Sequence, residues 1–268
     1  MNKKIGFIGC GKMASAIIGG VIASNYLPKE NIIAAEINEE KAAEKSKELG
    51  IKVITDNNEL VNSVDVVFVA TTPNFVEGVL NGIKSSVTKD KLVVSIAAGV
   101  TTRFIESILG SDKRVVRVMP NTPALVLEGM SGVAGGTIAT EEDVQAVVEL
   151  LSNIGKAIEV TEEQLDIVTA ISGSGPAFYY KVINDIARAG EKMGMDYEKA
   201  LTLSIQTAIG SAKMLLSSDK SAEDLIASVA TKGGCTRVGV DYMEEVDTAD
   251  MFYNLIEKTA EKAHALGK

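Results

Sequence analysis

The sequence predicts an α/β fold, a doubly wound and mostly parallel sheet over residues 1–160, followed by an all-α domain over residues 161–268. Three observations carry this expectation. Short β-branched runs alternate with helical segments through about residue 160. Strand signals stop beyond Thr161, and every later segment has helical spacing. The chain also opens with a strand, a glycine turn and a helix in immediate succession.

In that opening, Lys4-Ile5-Gly6-Phe7-Ile8 reads as a short strand running into Gly9-Cys10-Gly11-Lys12-Met13-Ala14 and then a helical pattern. Gly9 permits a tight strand-to-helix turn, Gly11 lets backbone approach a pyrophosphate, and small Ala14 allows helix and strand to touch. The helix N-terminus would face the phosphates. Glu36 closes the next strand, where a dinucleotide-binding unit carries an acid for the ribose. A turn that merely packs a helix on a sheet explains the glycines but not the acid.

The alternation continues with a strand at Ile32–Glu36, a helix at Asn38–Leu49, a strand at Val64–Ala70, a helix at Phe75–Ile83 and a strand at Leu92–Ile96. Further strands are expected at Arg114–Val118, Ser131–Ala134 and Ala157–Val160, with Thr140 capping a helix over Glu141–Leu151. The sheet should have about eight strands. Helical segments then begin near Glu162, Pro176, Tyr197, Ala222 and Ala249. Pro176 suits a first helical position, Asp196 can cap the next helix, and Ser221-Ala222-Glu223-Asp224 resembles a capping box. Small residues along the helix from Tyr197, among them Ser204, Ala208 and Gly210, suit close helix contact. One subunit could bury that face alone, but an interlocked dimer would bury it more completely.

Composition narrows the functional classes. A net charge of −9 with acids and bases interleaved disfavours gripping nucleic acid or an anionic membrane. No long uninterrupted apolar run exists, and Lys3-Lys4 leads into a glycine-broken strand, so a soluble cytoplasmic protein is expected. Cys10 and Cys235 lie in separate glycine loops, giving neither a disulfide framework nor metal-ligand spacing; reduced thiols and no metal are expected. His264 is the single histidine and reads as a surface residue near a helix end, which disfavours a catalytic triad, a His-ligated zinc or a histidine acid.

Three loops should gather at the carboxyl ends of the strands, where open α/β sheets form their crevice: Ala70–Pro73, Ser95–Gly99 and Met119–Pro123. Ordinary strand-to-helix turns are the alternative. In the helical half, Ser172-Gly173-Ser174-Gly175-Pro176-Ala177 can be either a ligand-facing corner with free N–H groups or a packing elbow. Thr231-Lys232-Gly233-Gly234-Cys235-Thr236 exposes consecutive N–H groups suited to a carboxylate, with helix capping by Thr236 as the structural alternative.

Taken together, Gly6-Phe7-Ile8-Gly9-x-Gly11-x-Met13-Ala14, Arg117-Val118-Met119-Pro120-Asn121-Thr122-Pro123, Ser172-Gly173-Ser174-Gly175-Pro176-Ala177 and Gly233-Gly234-x-Thr236 resemble the pyrroline-5-carboxylate reductase family over nearly the whole chain. The resemblance implies a Rossmann domain with a helical dimerisation domain, and reduction of the cyclic imine Δ1-pyrroline-5-carboxylate to L-proline by a reduced nicotinamide. It implies homodimers, possibly five to a decamer, with each active site shared between subunits. By the same resemblance Gly9, Gly11, Lys12 and Met13 hold the pyrophosphate, Asn57 and Glu36 the adenosine end, and Thr71, Thr72, Ala97 and Ala98 the ribose and nicotinamide. Thr231, Gly234, Cys235 and Thr236 form the substrate loop, Thr236 lying by the ring nitrogen as the catalytic residue. A cyclic imine can be protonated near neutral pH, which fits the lack of a histidine acid.

The chain departs from the family pattern in places. Thr71-Thr72-Pro73 replaces Val-Lys-Pro, Thr231-Lys232-Gly233-Gly234 replaces Ser-Pro-Gly-Gly, and Ser221-Ala222 replaces His-Pro. A cofactor-side lysine is thereby lost. Glu36-Ile37 replaces Asn-Arg, and because a carboxylate repels a 2′-phosphate and accepts from a 2′-OH, NADH is expected over NADPH. Two other readings remain: a 3-hydroxyacid dehydrogenase using Lys181 or Lys213, and a regulator that binds nucleotide without turnover.

Overall fold

The computed structural model describes residues 3–267. Its strands are β1 (Ile5–Ile8), β2 (Ile32–Ala35), β3 (Lys52–Ile54), β4 (Val66–Val69), β5 (Leu92–Ser95), β6 (Arg114–Met119), β7 (Gly129–Gly135) and β8 (Gly155–Glu159). They form one sheet of order β3-β2-β1-β4-β5-β6-β7-β8. Pairing is parallel from β3 through β6, antiparallel between β6 and β7, and parallel again between β7 and β8. The strand order reverses at β1, so a crevice opens beyond the carboxyl ends of β1 and β4. The strand that the expected list lacked is β3, whose three residues are too short and too exposed to leave a pattern.

Both faces of the sheet are covered, which explains why β1, β4 and β5 are buried at every position. On one face Phe7, Phe68, Val94 and Val116 pack under α1 (Lys12–Ala23). Phe7 and Phe68 stack there with ring centroids 4.6 Å apart. On the other face Val67, Val69 and Val93 meet α3 (Asn57–Ser63), α4 (Pro73–Ile83) and α5 (Thr102–Leu109). Thr140 caps its helix as the sequence suggests, while Asn38, expected inside its helix, is instead the cap. Asn38 accepts from Lys41 N–H ahead of α2 (Glu39–Leu49), and Thr140 and Asp143 close a capping box on α6 (Glu141–Leu151).

Where β8 begins, Gly155 has φ +140°, and a Cβ there would lie 2.0 Å from the Gly129 carbonyl oxygen. Neither backbone strain nor contact can be relieved by a rotamer. Gly155→Ala is therefore expected to cost at least about 2–3 kcal/mol, read as a lowered urea midpoint.

Residues 162–173 hold a 3-10 turn, the short α7 (Leu165–Val168) and a π-helical turn at Thr169–Gly173. They pack on the sheet: a Cβ at Gly132 of β7 would stand 2.8 Å from a Val168 methyl. The first compact unit consequently runs to Ser174 and takes back the chain from Lys258. There Leu266 O approaches Gly99 and His264 Nδ1 pairs with Asp166 Oδ2 at 2.9 Å.

The second unit spans Gly175–Glu257. It comprises α8 (Gly175–Lys192), α9 (Tyr197–Ser217), α10 (Ala222–Val229), α11 (Cys235–Glu245) and the first half of α12 (Thr248–Leu266). Asp196 caps α9 by accepting from Lys199 N–H, and Ser221 caps α10 by accepting from Asp224 N–H. A Cβ at Gly190 would meet Ala200 at 3.2 Å, so α8 and α9 touch through small residues. Beyond that seam α9 is uncovered: Ala200 is its one buried residue, while Leu203, Ile209, Met214 and Leu216 stand exposed. A single chain does not bury this face. Among the described residues no helix is long and apolar enough to cross a membrane.

Candidate active site

The Gly9 turn takes its shape from its neighbours. Gly9 has φ +92°, and a Cβ would strike the Ala70 carbonyl oxygen at 2.9 Å. Its N–H donates to Ala35 O, closing the turn over the end of β2. Ala14 lies fully in the core, so α1 starts directly against the sheet. Gly6 is required for a further reason, since a Cβ would overlap Leu60 of α3 at 2.5 Å.

Gly11 is different. It caps α1 with φ −73° and ψ −175°, a conformation open to any residue, and nothing lies within 4 Å of where its Cβ would stand. No side chain caps the helix, so the N–H groups of the first turn around Lys12 and Met13 have no side-chain acceptor. Nothing inside the chain demands glycine here. A phosphate group seated on the helix would. Beside Gly9, the Thr71 hydroxyl is buried without a hydrogen-bond partner. Both features fit a dinucleotide.

Glu36 reaches back to the same turn. Its Oε2 accepts from Cys10 N–H at 3.3 Å and its Oε1 from Ile37 N–H at 3.2 Å, while Ile37 itself is 93% exposed. Asn57 opens α3 next to this edge, where Asp56 caps the helix and Glu36 N–H donates to Ile54 O. Thr72 caps α4 without a side-chain hydrogen bond. After β5, Ala97 is buried, Ala98 exposed and Gly99 left-handed at φ +73°. The residues expected at the cofactor thus gather at the carboxyl ends of β1 to β5. Burial pushes the Cys10 thiol above its ordinary pKa, so at neutral pH it is a packing group.

The third loop is held by its asparagine. Asn121 donates from Nδ2 to Ser172 O at 3.1 Å and accepts Met130 N–H on Oδ1 at 2.8 Å, which ties β6 to β7 and to the π-helical turn. At the Ser172–Ala177 corner the Ser172 carbonyl accepts from Asn121, while the Ser172 hydroxyl is buried without a hydrogen-bond partner. A helix ends and another opens there, as expected: the π-helical turn stops at Gly173, the Ser174 bend donates its N–H to Thr169 O, and α8 starts at Gly175, while Gly173 makes room for Met119.

In the second unit, Gly233 has φ +80° and Gly234 is the N-cap of α11, its N–H donating to Thr231 O at 3.0 Å. Thr236 is the second residue of that helix and does not cap it. The first-turn N–H groups of Cys235 and Thr236 have no carbonyl one turn back to bind. Lys181 is exposed and paired with Asp185 at 2.5 Å.

One ion pair escaped the sequence patterns. Arg117, 3% exposed in β6, donates from Nη1 to Glu162 Oε1 at 2.8 Å. A charge amid Val115-Val116 and Val118 was the available signal.

Residues 162–266 match the family model for pyrroline-5-carboxylate reductase dimerisation, and residues 4–99 match one described as NADP oxidoreductase, coenzyme F420-dependent. A pyrroline-5-carboxylate reductase of Methanosarcina acetivorans is 42% identical over 100% of this chain and 99% of its own. The chain belongs to the pyrroline-5-carboxylate reductase family. A pyrroline-5-carboxylate reductase structure from Coxiella burnetii superposes with a TM-score of 0.95 at 31% identity, covering 100% of both chains. One from Plasmodium falciparum, solved with NADP bound, gives 0.86 at 32% identity over 100% of this chain and 99% of that one. Family members are oxidoreductases, and the two halves of the chain fit a Rossmann-type nucleotide unit and an oligomerising helical unit.

Proposed function

We propose that the chain reduces the C=N bond of Δ1-pyrroline-5-carboxylate to give L-proline, the last step of proline synthesis, with NADH preferred over NADPH. The observation that carries this reading is the glycine-capped start of α11 in a chain that belongs to the family. Cys235 and Thr236 N–H groups offer an anion site at a helix N-terminus for the substrate carboxylate, with Thr231 and Gly234 shaping the loop. The Thr236 hydroxyl orients the ring nitrogen.

Gly9, Gly11, Lys12 and Met13 would hold the pyrophosphate, Glu36 and Asn57 the adenosine end, and Thr71, Thr72, Ala97 and Ala98 the ribose and nicotinamide. When bound, the reduced nicotinamide supplies the hydride. The protein's own contribution is alignment of two reactants, worth several kcal/mol without an acid of its own because the imine nitrogen is already protonated. The functional division at 160/161, a cytoplasmic location and a decamer of five dimers belong to the same reading.

NADH oxidation that depends on added pyrroline-5-carboxylate tests the activity, and its absence would defeat the proposal. Thr236→Val is expected to lower kcat/KM at least about tenfold, the worth of one hydrogen bond to a charged group, while Thr236→Ser keeps most of it. Light scattering at the mass of two chains alone would exclude the decamer.

A further inference from the structure

We infer that Glu162, held by Arg117, is a positioning residue for the nicotinamide end of the cofactor site. The inference rests on the placement of the nicotinamide at Ala97 and Ala98 given above. The Arg117–Glu162 pair is buried on the strand side, and its carboxylate has a second task. Glu162 Oε1 also accepts the N–H of Thr102 at 3.2 Å. Thr102 is the first residue of α5, so that N–H has no partner within its own helix.

What the bond fixes is the loop just before it. Thr101 caps α5, Val100 is buried and donates its N–H to Ala97 O at 3.4 Å, and Ala97 N–H is held by Ser95 Oγ at 3.3 Å. Two anchors therefore bracket Ala97 and Ala98: Ser95 at the end of β5 and Glu162 at the start of α5. Glu162 comes from beyond β8, 60 residues along the chain from Thr102. Arg117 makes this carboxylate a fixed ion with one available direction, because a buried guanidinium and its partner hold each other in place.

The test removes one N–H and leaves the ion pair. Thr102→Pro does so at a helical position that tolerates proline, after a residue whose ψ of 156° suits one. Thr102→Ala, which keeps the N–H, is the control. Equilibrium binding of NADH is compared with that of ADP-ribose, which lacks the nicotinamide. In Thr102→Pro the NADH affinity should fall about three- to tenfold, as for loss of one partly buried hydrogen bond, while ADP-ribose binding stays within about twofold and the alanine variant matches the parent. Affinities for both ligands falling together, or neither falling, would overturn the inference. Hydrogen exchange in the unmodified protein gives an answer that does not depend on the variant folding: the Thr102 amide should be protected, and exchange at the rate of an open first-turn amide also overturns it. A parent protein that binds neither ligand would instead remove the nucleotide reading on which the inference stands.

Discussion

Gly11→Val is expected to weaken NADH binding by roughly 10²–10³-fold while leaving the thermal midpoint within about 2 °C of the parent, since it forfeits two or three charge-assisted hydrogen bonds and no internal contact. The two halves of that expectation come from one observation. A side chain at Gly11 meets nothing within 4 Å, and the backbone there is extended, so the free fold accepts it. The same side chain would fill the space before the first turn of α1, where phosphate oxygens need to approach N–H groups directly. Gly9 offers the contrast: φ +92° and the close Ala70 carbonyl mean that Gly9→Val should damage folding as well as binding. Isothermal titration with NADH and a melting curve on each variant check both. A Gly11→Val protein that melts normally and binds normally would remove the phosphate assignment.

The second large effect is expected for Glu36→Asn combined with Ile37→Arg, which should shift the ratio of kcat/KM for NADPH over NADH by about 10²-fold toward NADPH. A carboxylate within several ångströms of a 2′-phosphate repels it by a few kcal/mol at an effective dielectric near 20, and screening reduces this to about 2 kcal/mol. Removing the acid abolishes the repulsion, and an arginine at the fully exposed position 37 adds attraction. Because Glu36 also accepts from Cys10 N–H, asparagine is the better replacement than alanine: its amide oxygen can keep that bond and the shape of the turn. Steady-state kinetics with both nucleotides decide it, and a parent enzyme that already favours NADPH would contradict the role given to Glu36.

Much of this molecule can be read from local pattern. The Gly9–Ala14 turn, Thr140 and Asp196 all act where their chemistry suggests, because turns and caps are settled within a few residues. What depends on distant partners was not legible. β3 has three residues and borrows its strand character from β2. The Ser172–Ala177 run contains two glycines and a proline, which argue locally for the break found at Ser174, but the π-helical turn before it is contacted by Asn121 and Met119 from another part of the chain. In the Met119–Pro123 loop no local pattern gives the two bonds of Asn121, to Ser172 O and from Met130 N–H. Glu162 lies in an ordinary acidic turn, and its three-way contact with Arg117 and Thr102 exists only once the sheet is assembled.

The uncovered face of α9 means that the helical half, taken as one chain, lacks an interior of its own. Its persistence then obeys mass action: dilution below the dissociation constant of an oligomer would withdraw the water-excluding partner and loosen these helices, so their stability would scale with the logarithm of protein concentration.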